Sequence, residues 1–328
     1  MRNTKAKRKY LAGLTAVALI AVIAKLPSTF AANAVDTDRN CSLTVNVADS
    51  GSYADDLANA AIDVKLYKVA DVAKTGAFTS TENFSSLKIE DVKSGEENWE
   101  QTAKDAVKIV DDKKITPDGE LTVTGGTGTK DSLSCGLYLV EAEKADTDCY
   151  SYSFNPYIIS LPDNLYYQSK DPEDDAWIYD VTSGLKPEQE SRYGSLKIRK
   201  TLQDFNASLK EATFVFQVEG TDDEGNVVYS NVASTTFDAA GTKEAVLDKI
   251  PAGAHLTVME VYSGASYKLT SAESQETTIV ADQTMEVDFS NTYDDKIVPG
   301  YGVTNHFEYD ENNGWNWSQL QDNTETQK

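Results

Sequence analysis

Three polar side chains fall where the strand pattern of this chain calls for apolar ones. Along residues 194–201 (GSLKIRKT) alternation puts Leu196, Ile198 and Lys200 on one face. Along 256–262 (LTVMEVY) it aligns Leu256, Val258, Glu260 and Tyr262, and along 285–293 (MEVDFSNTY) it aligns Val287, Phe289 and Asn291. Successive side chains of a strand point to opposite faces, so Lys200, Glu260 and Asn291 all inherit the core side. Burying a lysine, an acid and an amide is costly unless they satisfy one another. Burial favours the neutral forms of amines and acids alike. A neutral lysine amine is a nucleophile and an asparagine carboxamide is an acyl centre. With Glu260 as proton shuttle, attack and loss of ammonia would leave a covalent Lys–Asn cross-link. The competing reading is solvated strand ends, which a one-residue change of phase would produce. The agreement of the first, a middle and the last strand of one segment favours the cross-link.

The elements that must hold these residues lie downstream of a leader. Arg2, Lys5, Lys7, Arg8 and Lys9 precede a mostly apolar run from Leu11 to Ala24, and Ala32-Asn33-Ala34 offers a small-residue cleavage site before Val35. That is the pattern of a secretory signal peptide over residues 1–34, with an apolar run too short to span a bilayer. The expected product is secreted to the extracellular cell surface, with no membrane span after signal removal. The full chain carries a formal charge of −23, and loss of the leader's six Lys/Arg with no acid leaves −29. Such a surface repels nucleic acid and anionic lipid.

About 290 mature residues suggest two domains. Residues 35–190 read as a β-rich unit: CSLTVNV (41–47), a strand carrying Ile62, Val64 and Leu66, GELTVTGG (119–126) and AWIYDVT (176–182). One helix is expected over 98–114, with Trp99, Ala103, Ala106, Val107 and Val110 at helical spacing. Residues 186–190 read as a short polar linker. Residues 191–295 show short alternating strands separated by turn signals, the pattern of an antiparallel sandwich. Residues 296–328 hold a terminal hairpin with an Asn-Gly turn and a polar tail. The expected class is mostly β: two antiparallel Ig-like or prealbumin-like β-sandwiches, the first with one or two helices. Three cysteines allow one disulfide. Cys135 and Cys149 bracket what reads as a hairpin, and Cys41 with Cys135 is the alternative, since both precede strands.

The run GSLKIRKT, followed by PAGAHLTVMEVYSGASYKL and FSNTY, resembles the Cna B-type (prealbumin-like) domain of Gram-positive surface proteins. The resemblance implies an isopeptide between Lys200 and Asn291 assisted by Glu260. Gly253 to Glu260 is one residue longer than the family's usual spacing. The first unit is similar to the N-terminal domain of sortase-assembled pilins through VKLYKVADV, GLYLVEA, YSFNPYIISLP and WIYDVTSGLKP. Trp177, Val181 and Lys186 keep the spacing of the pilin motif, although Ser183-Gly184-Leu185 replaces its usual Val-Tyr-Pro. By that resemblance Lys186 is a candidate sortase acceptor, and other pilin subunits and a sortase are the implied partners. No lysine lies in CSLTVNV, so a matching isopeptide is not expected in the first unit, with Lys65 and Lys68 as weak alternatives. No LPxTG-like signal is visible near residue 328, so acceptance without donation, non-covalent retention or a longer gene product are the expectations.

The leading functional expectation is a pilin-like structural subunit. The alternative is an adhesin for host protein or glycan, carried by Trp315 and Trp317 alternating onto one face of the terminal hairpin. Packing of those rings onto the second domain is the plainer reading. An enzyme is not expected. His255 and His306 lie in separate segments, and no serine elbow, zinc spacing or phosphate loop is present. No cofactor and no metal are expected either. The run 171–175 offers carboxylates in no known calcium spacing and reads as charged surface.

Overall fold

The computed structural model describes residues 34–92, 95–164, 176–264, 266–294, 304–310 and 314–320. The chain divides into two compact units. One holds residues up to Thr147 with Ser151–Gln189, and the other holds Asp148–Tyr150 with Glu190 onward.

In the first unit, β1 (Cys41–Asn46) runs between β4 (Thr127–Leu133) and β7 (Asp180–Gly184). A larger sheet is built on β2 (Ile62–Val72), which pairs with β3 (Gly119–Val123) and β5 (Gly136–Ala142); β5 in turn pairs with β6 (Tyr157–Leu161). This larger sheet is covered on both faces. Val64, Leu66, Tyr138 and Val140 pack with Leu43 and Val45 of β1. Tyr67, Val69, Leu137 and Leu139 pack under the helix Glu96–Lys113, which buries Trp99, Ala103, Ala106 and Val110 at helical spacing. Burial on both faces is why GLYLV is continuously apolar instead of alternating.

Two expectations are corrected here. The segment after β5 does not fold straight back: Tyr150–Phe154 forms a separate strand that shares a small sheet with Ala145–Asp146, and Tyr157–Leu161 is the strand that returns to β5. Cys135 and Cys149 therefore do not flank a simple hairpin. The expected linker contains a strand, Pro187–Ser191.

The second unit is a sandwich of two four-stranded sheets. One has the order β11 (Gly241–Pro251), β8 (Tyr193–Leu202), β15 (Thr284–Tyr293), β13 (Tyr267–Leu269). The other has the order β10 (Val227–Phe237), β9 (Ala212–Thr221), β12 (His255–Tyr262), β14 (Ser274–Thr278). Their inner faces supply Leu196, Ile198, Phe214, Phe216, Val218, Leu256, Val258, Val287 and Phe289 to one core. Pairing in the two sheets is antiparallel except between the unit's first long strand and its last, β8 and β15, which run parallel. The first unit has the same device, with β1 parallel to β7. The terminal hairpin pairs β16 (Thr304–Asp310) with β17 (Gly314–Leu320). Ser230 of edge strand β10 donates a hydrogen bond to the carbonyl of Trp315.

Candidate functional site

The inner face of β8 carries Leu196, Ile198, Lys200 and Leu202, all buried, between half-buried or exposed neighbours. Lys200 and Asn291 are wholly buried and Glu260 nearly so, with no side-chain exposure at either Lys200 or Glu260. The parallel register sets Lys200 opposite Phe289 and Leu202 opposite Asn291, which brings the lysine stem alongside the asparagine on the same face. Glu260 comes from the facing sheet, where β12 places it opposite Phe216 of β9.

The three side chains meet. Lys200 Nζ donates to Glu260 Oε2 and to Asn291 Oδ1. Asn291 Nδ2 donates to Glu260 Oε1 at 2.6 Å. Each carboxylate oxygen therefore faces one nitrogen of the cross-linking reaction: Oε2 the attacking amine, Oε1 the departing amide nitrogen. Phe214 closes the site, its ring centroid 4.4 Å from Lys200 Nζ, and Phe216 lies 5.8 Å away. This aromatic wall excludes water, and the resulting desolvation holds the lysine amine below its ordinary value despite the adjacent carboxylate. A base so depressed is more readily available as a free amine.

Tyr262, expected inward with Glu260, is exposed. The register shifts here: Phe216 pairs with Glu260 but Val215 with Tyr262, so Val261 is an extra residue in β12. Such a bulge reverses the facing of the residues beyond it. Alternation along ATFVFQV marks Phe214 and Phe216 as inward, but nothing in the sequence sets them apart as the wall of a site.

The other candidates are dispersed. Lys186 follows β7, with its side chain 13% exposed and its amine 3.7 Å from Glu96 and 3.6 Å from Glu100 of the long helix. Val181 is buried and Trp177 packs against the first core. Lys65 pairs with Glu143 and Lys68 with Asp71, so both lysines are committed near the surface. Cys41 and Cys135 are buried thiols with sulfurs 3.8 Å apart. Cys149 belongs to the second unit, where its sulfur lies against Gly253. His255 is exposed between Thr278 and Asp223. Tyr309 and Trp315 face outward as an edge-to-face pair with centroids 5.4 Å apart, whereas the side chains of Trp317 and His306 lie outside the described residues, as does the run 171–175. Among the described residues no cluster of His, Cys, Asp or Glu could hold a metal ion, and no helix is long and apolar enough to cross a membrane.

A family model described as a domain of unknown function (DUF5979) matches residues 196–294, which run from within β8 to just past β15. No curated protein matches the chain. Among solved structures, the chain is similar to a minor pilin of Streptococcus agalactiae at 14% identity and TM-score 0.24, covering 81% of this chain and 100% of that one. The full-length major pilin SpaD of Corynebacterium diphtheriae is similar at 12% identity and TM-score 0.28, covering 79% and 99%. The shaft pilin SpaA of Lactobacillus rhamnosus GG, as a D295N mutant, is similar at 13% identity and TM-score 0.30, covering 78% and 99%. At such scores the likeness carries no argument of its own.

Proposed function

We propose that the chain is an exported surface protein of structural, pilin-like type, whose second unit cross-links itself through an isopeptide bond between Lys200 and Asn291. The observation that carries this reading is the closed contact of Lys200, Glu260 and Asn291 in a buried site. Glu260 takes a proton from the Lys200 amine, which attacks Asn291 Cγ. The proton then passes to the departing nitrogen through Oε1, and ammonia leaves as the amide forms. No cofactor enters the balance. The Glu260 carboxylate is regenerated, and the chemistry is self-directed, spent in a single turnover.

Lys186 is the residue proposed to accept an acyl group from a neighbouring subunit through a sortase. A second reading, binding of a host protein or glycan, is supported by the outward Tyr309–Trp315 pair. Those exposed rings offer apolar faces of the kind that sugars and partner proteins use.

Intact mass of the full chain tests the main reading. Wild type is expected one ammonia lighter than its sequence mass after leader removal, and Glu260→Ala at full mass. Full mass for both removes the cross-link and leaves the aromatic hairpin as the better-supported feature.

A further inference from the structure

The first unit lacks an inward lysine on its opening strand. The inner positions of β1 are Cys41, Leu43 and Val45, all buried. Cys41 therefore holds a core-facing place at the start of the opening strand, which runs parallel to β7 late in the unit. Its sulfur lies 3.8 Å from that of Cys135, which immediately precedes β5. The two cysteines are 2% and 5% exposed. Around them, Cys135 Sγ contacts the carbonyl oxygens of Arg39 at 3.2 Å and Asp36 at 3.6 Å, so the chain before β1 folds over the pair.

We infer that Cys41 and Cys135 form a disulfide, stapling the opening strand of the first unit to the larger sheet, in the role that the Lys200–Asn291 bond is proposed to play in the second. The inference rests on the reading that the chain is exported, since disulfides persist outside the reducing cytosol. The oxidant is a disulfide-bearing one, either an oxidised thiol–disulfide oxidoreductase or a small-molecule disulfide. One cysteine thiolate attacks the oxidant's disulfide and releases one of its sulfurs as a thiol. The second cysteine then displaces the other sulfur from the mixed disulfide. Two protein thiols become one disulfide, and the oxidant disulfide becomes two thiols.

Burial sets the order of events. It pushes the Cys41 thiol up to about 12 and the Cys135 thiol upward as well, so in the folded protein neither is readily ionised for exchange. The bond therefore forms while β1 is docking and is shielded afterwards.

The test uses the full chain, both recovered from the medium of an exporting host and refolded from the reduced state in a glutathione redox buffer. Each sample is alkylated in denaturant, digested without reductant and mapped by mass spectrometry. The expected result is a Cys41–Cys135 linked peptide with Cys149 alkylated, and a first-unit melting temperature higher than that of the reduced chain by roughly 10–20 °C, since the bond closes a loop of 94 residues. The linked native chain is expected to resist dithiothreitol until denaturant is added. Alkylation of all three cysteines after refolding in the redox buffer overturns the inference, as does linkage of Cys149 to either of the others. A chain that forms the link in the buffer but is retained inside the host with its cysteines reduced supports the inference and counts against export. Reduced and oxidised wild type are compared directly, so the result does not depend on whether Cys41→Ser with Cys135→Ser folds.

Discussion

Asn291→Ala isolates the consequence of the proposed bond. It removes the acyl centre while leaving Lys200 and Glu260 to satisfy each other, so no charge is stranded in the core. Lys200 and Asn291 are 91 residues apart in sequence. Closing a loop of that length removes conformational freedom from the unfolded chain worth about 5 kcal/mol at 25 °C, by the relation that describes disulfide loops. For a unit of this size each kcal/mol shifts the melting temperature by roughly 4–8 °C, so the loop term alone predicts a fall of roughly 20–40 °C. The assay is calorimetry of the full chain, following the transition that moves with the variant, together with intact mass of each sample. A wild type that is one ammonia light but melts within a few degrees of Asn291→Ala would refute the entropic reasoning. A wild type at full mass would refute the bond itself.

Three other perturbations test particular contacts. In Asn291→Ala the Lys200 amine still titrates, and burial holds it below the 10.5 of an ordinary lysine. Between its folded value and 10.5 the unfolded chain binds more protons than the folded one, so stability rises with pH across that window and falls back as pH drops through the folded value. In the cross-linked wild type Lys200 is an amide and does not titrate. The stability gap between the two should therefore narrow as pH approaches 10.5 in urea titrations, and a constant gap would count against a buried titrating amine. Gly136→Ala would place a methyl against Lys68 Cε and 2.5 Å from the Ala70 carbonyl oxygen. The backbone atom cannot move aside, so a loss of about 2–3 kcal/mol is expected in denaturant unfolding of the first unit. Lys186→Ala should eliminate SDS-resistant conjugates when the chain is incubated with a sortase and a donor subunit. An unchanged ladder of conjugates would place the acceptor elsewhere.

The faces of β8, β12 and β15 are readable from sequence because each strand has one buried face, and a period of two then leaves only one phase that buries Leu196, Val258 and Val287. That same phase delivers Lys200, Glu260 and Asn291 to the core. Tyr262 escapes the rule because a bulge at Val261 is a property of pairing with β9, and nothing in LTVMEVY announces it. Strand order and direction are invisible to periodicity for the same reason, so the parallel pairings of β8 with β15 and β1 with β7 have no signal in the sequence. The excursion between β5 and β6 is also hidden: YSYSF alternates as a strand should, but the pattern does not say that it pairs with Ala145–Asp146 instead of β5. A hairpin reading of that segment makes Cys149 look like a partner for Cys135, when the neighbouring sulfur is that of Cys41.

The parallel pairing of first and last strands gives the position of the proposed bond its mechanical meaning. In the second unit the chain enters at the start of β8 and leaves at the end of β15, which are opposite ends of two adjacent parallel strands. Tension on the chain ends loads this pair in shear along their shared ladder. A bond from Lys200 to Asn291 lies near the far end of that ladder, between residues only two register positions apart. Force arriving through residues 193–200 would cross at the bond and leave through residues 291–293. The polypeptide between Lys200 and Asn291, including both inner faces of the sandwich, would carry none of it. A lysine placed instead on β11, the other neighbour of β8, would close a loop without joining the strands that bear the load. The value of this triad to a surface protein therefore lies in which two strands it joins, beyond the several kcal/mol that closing the loop contributes at rest.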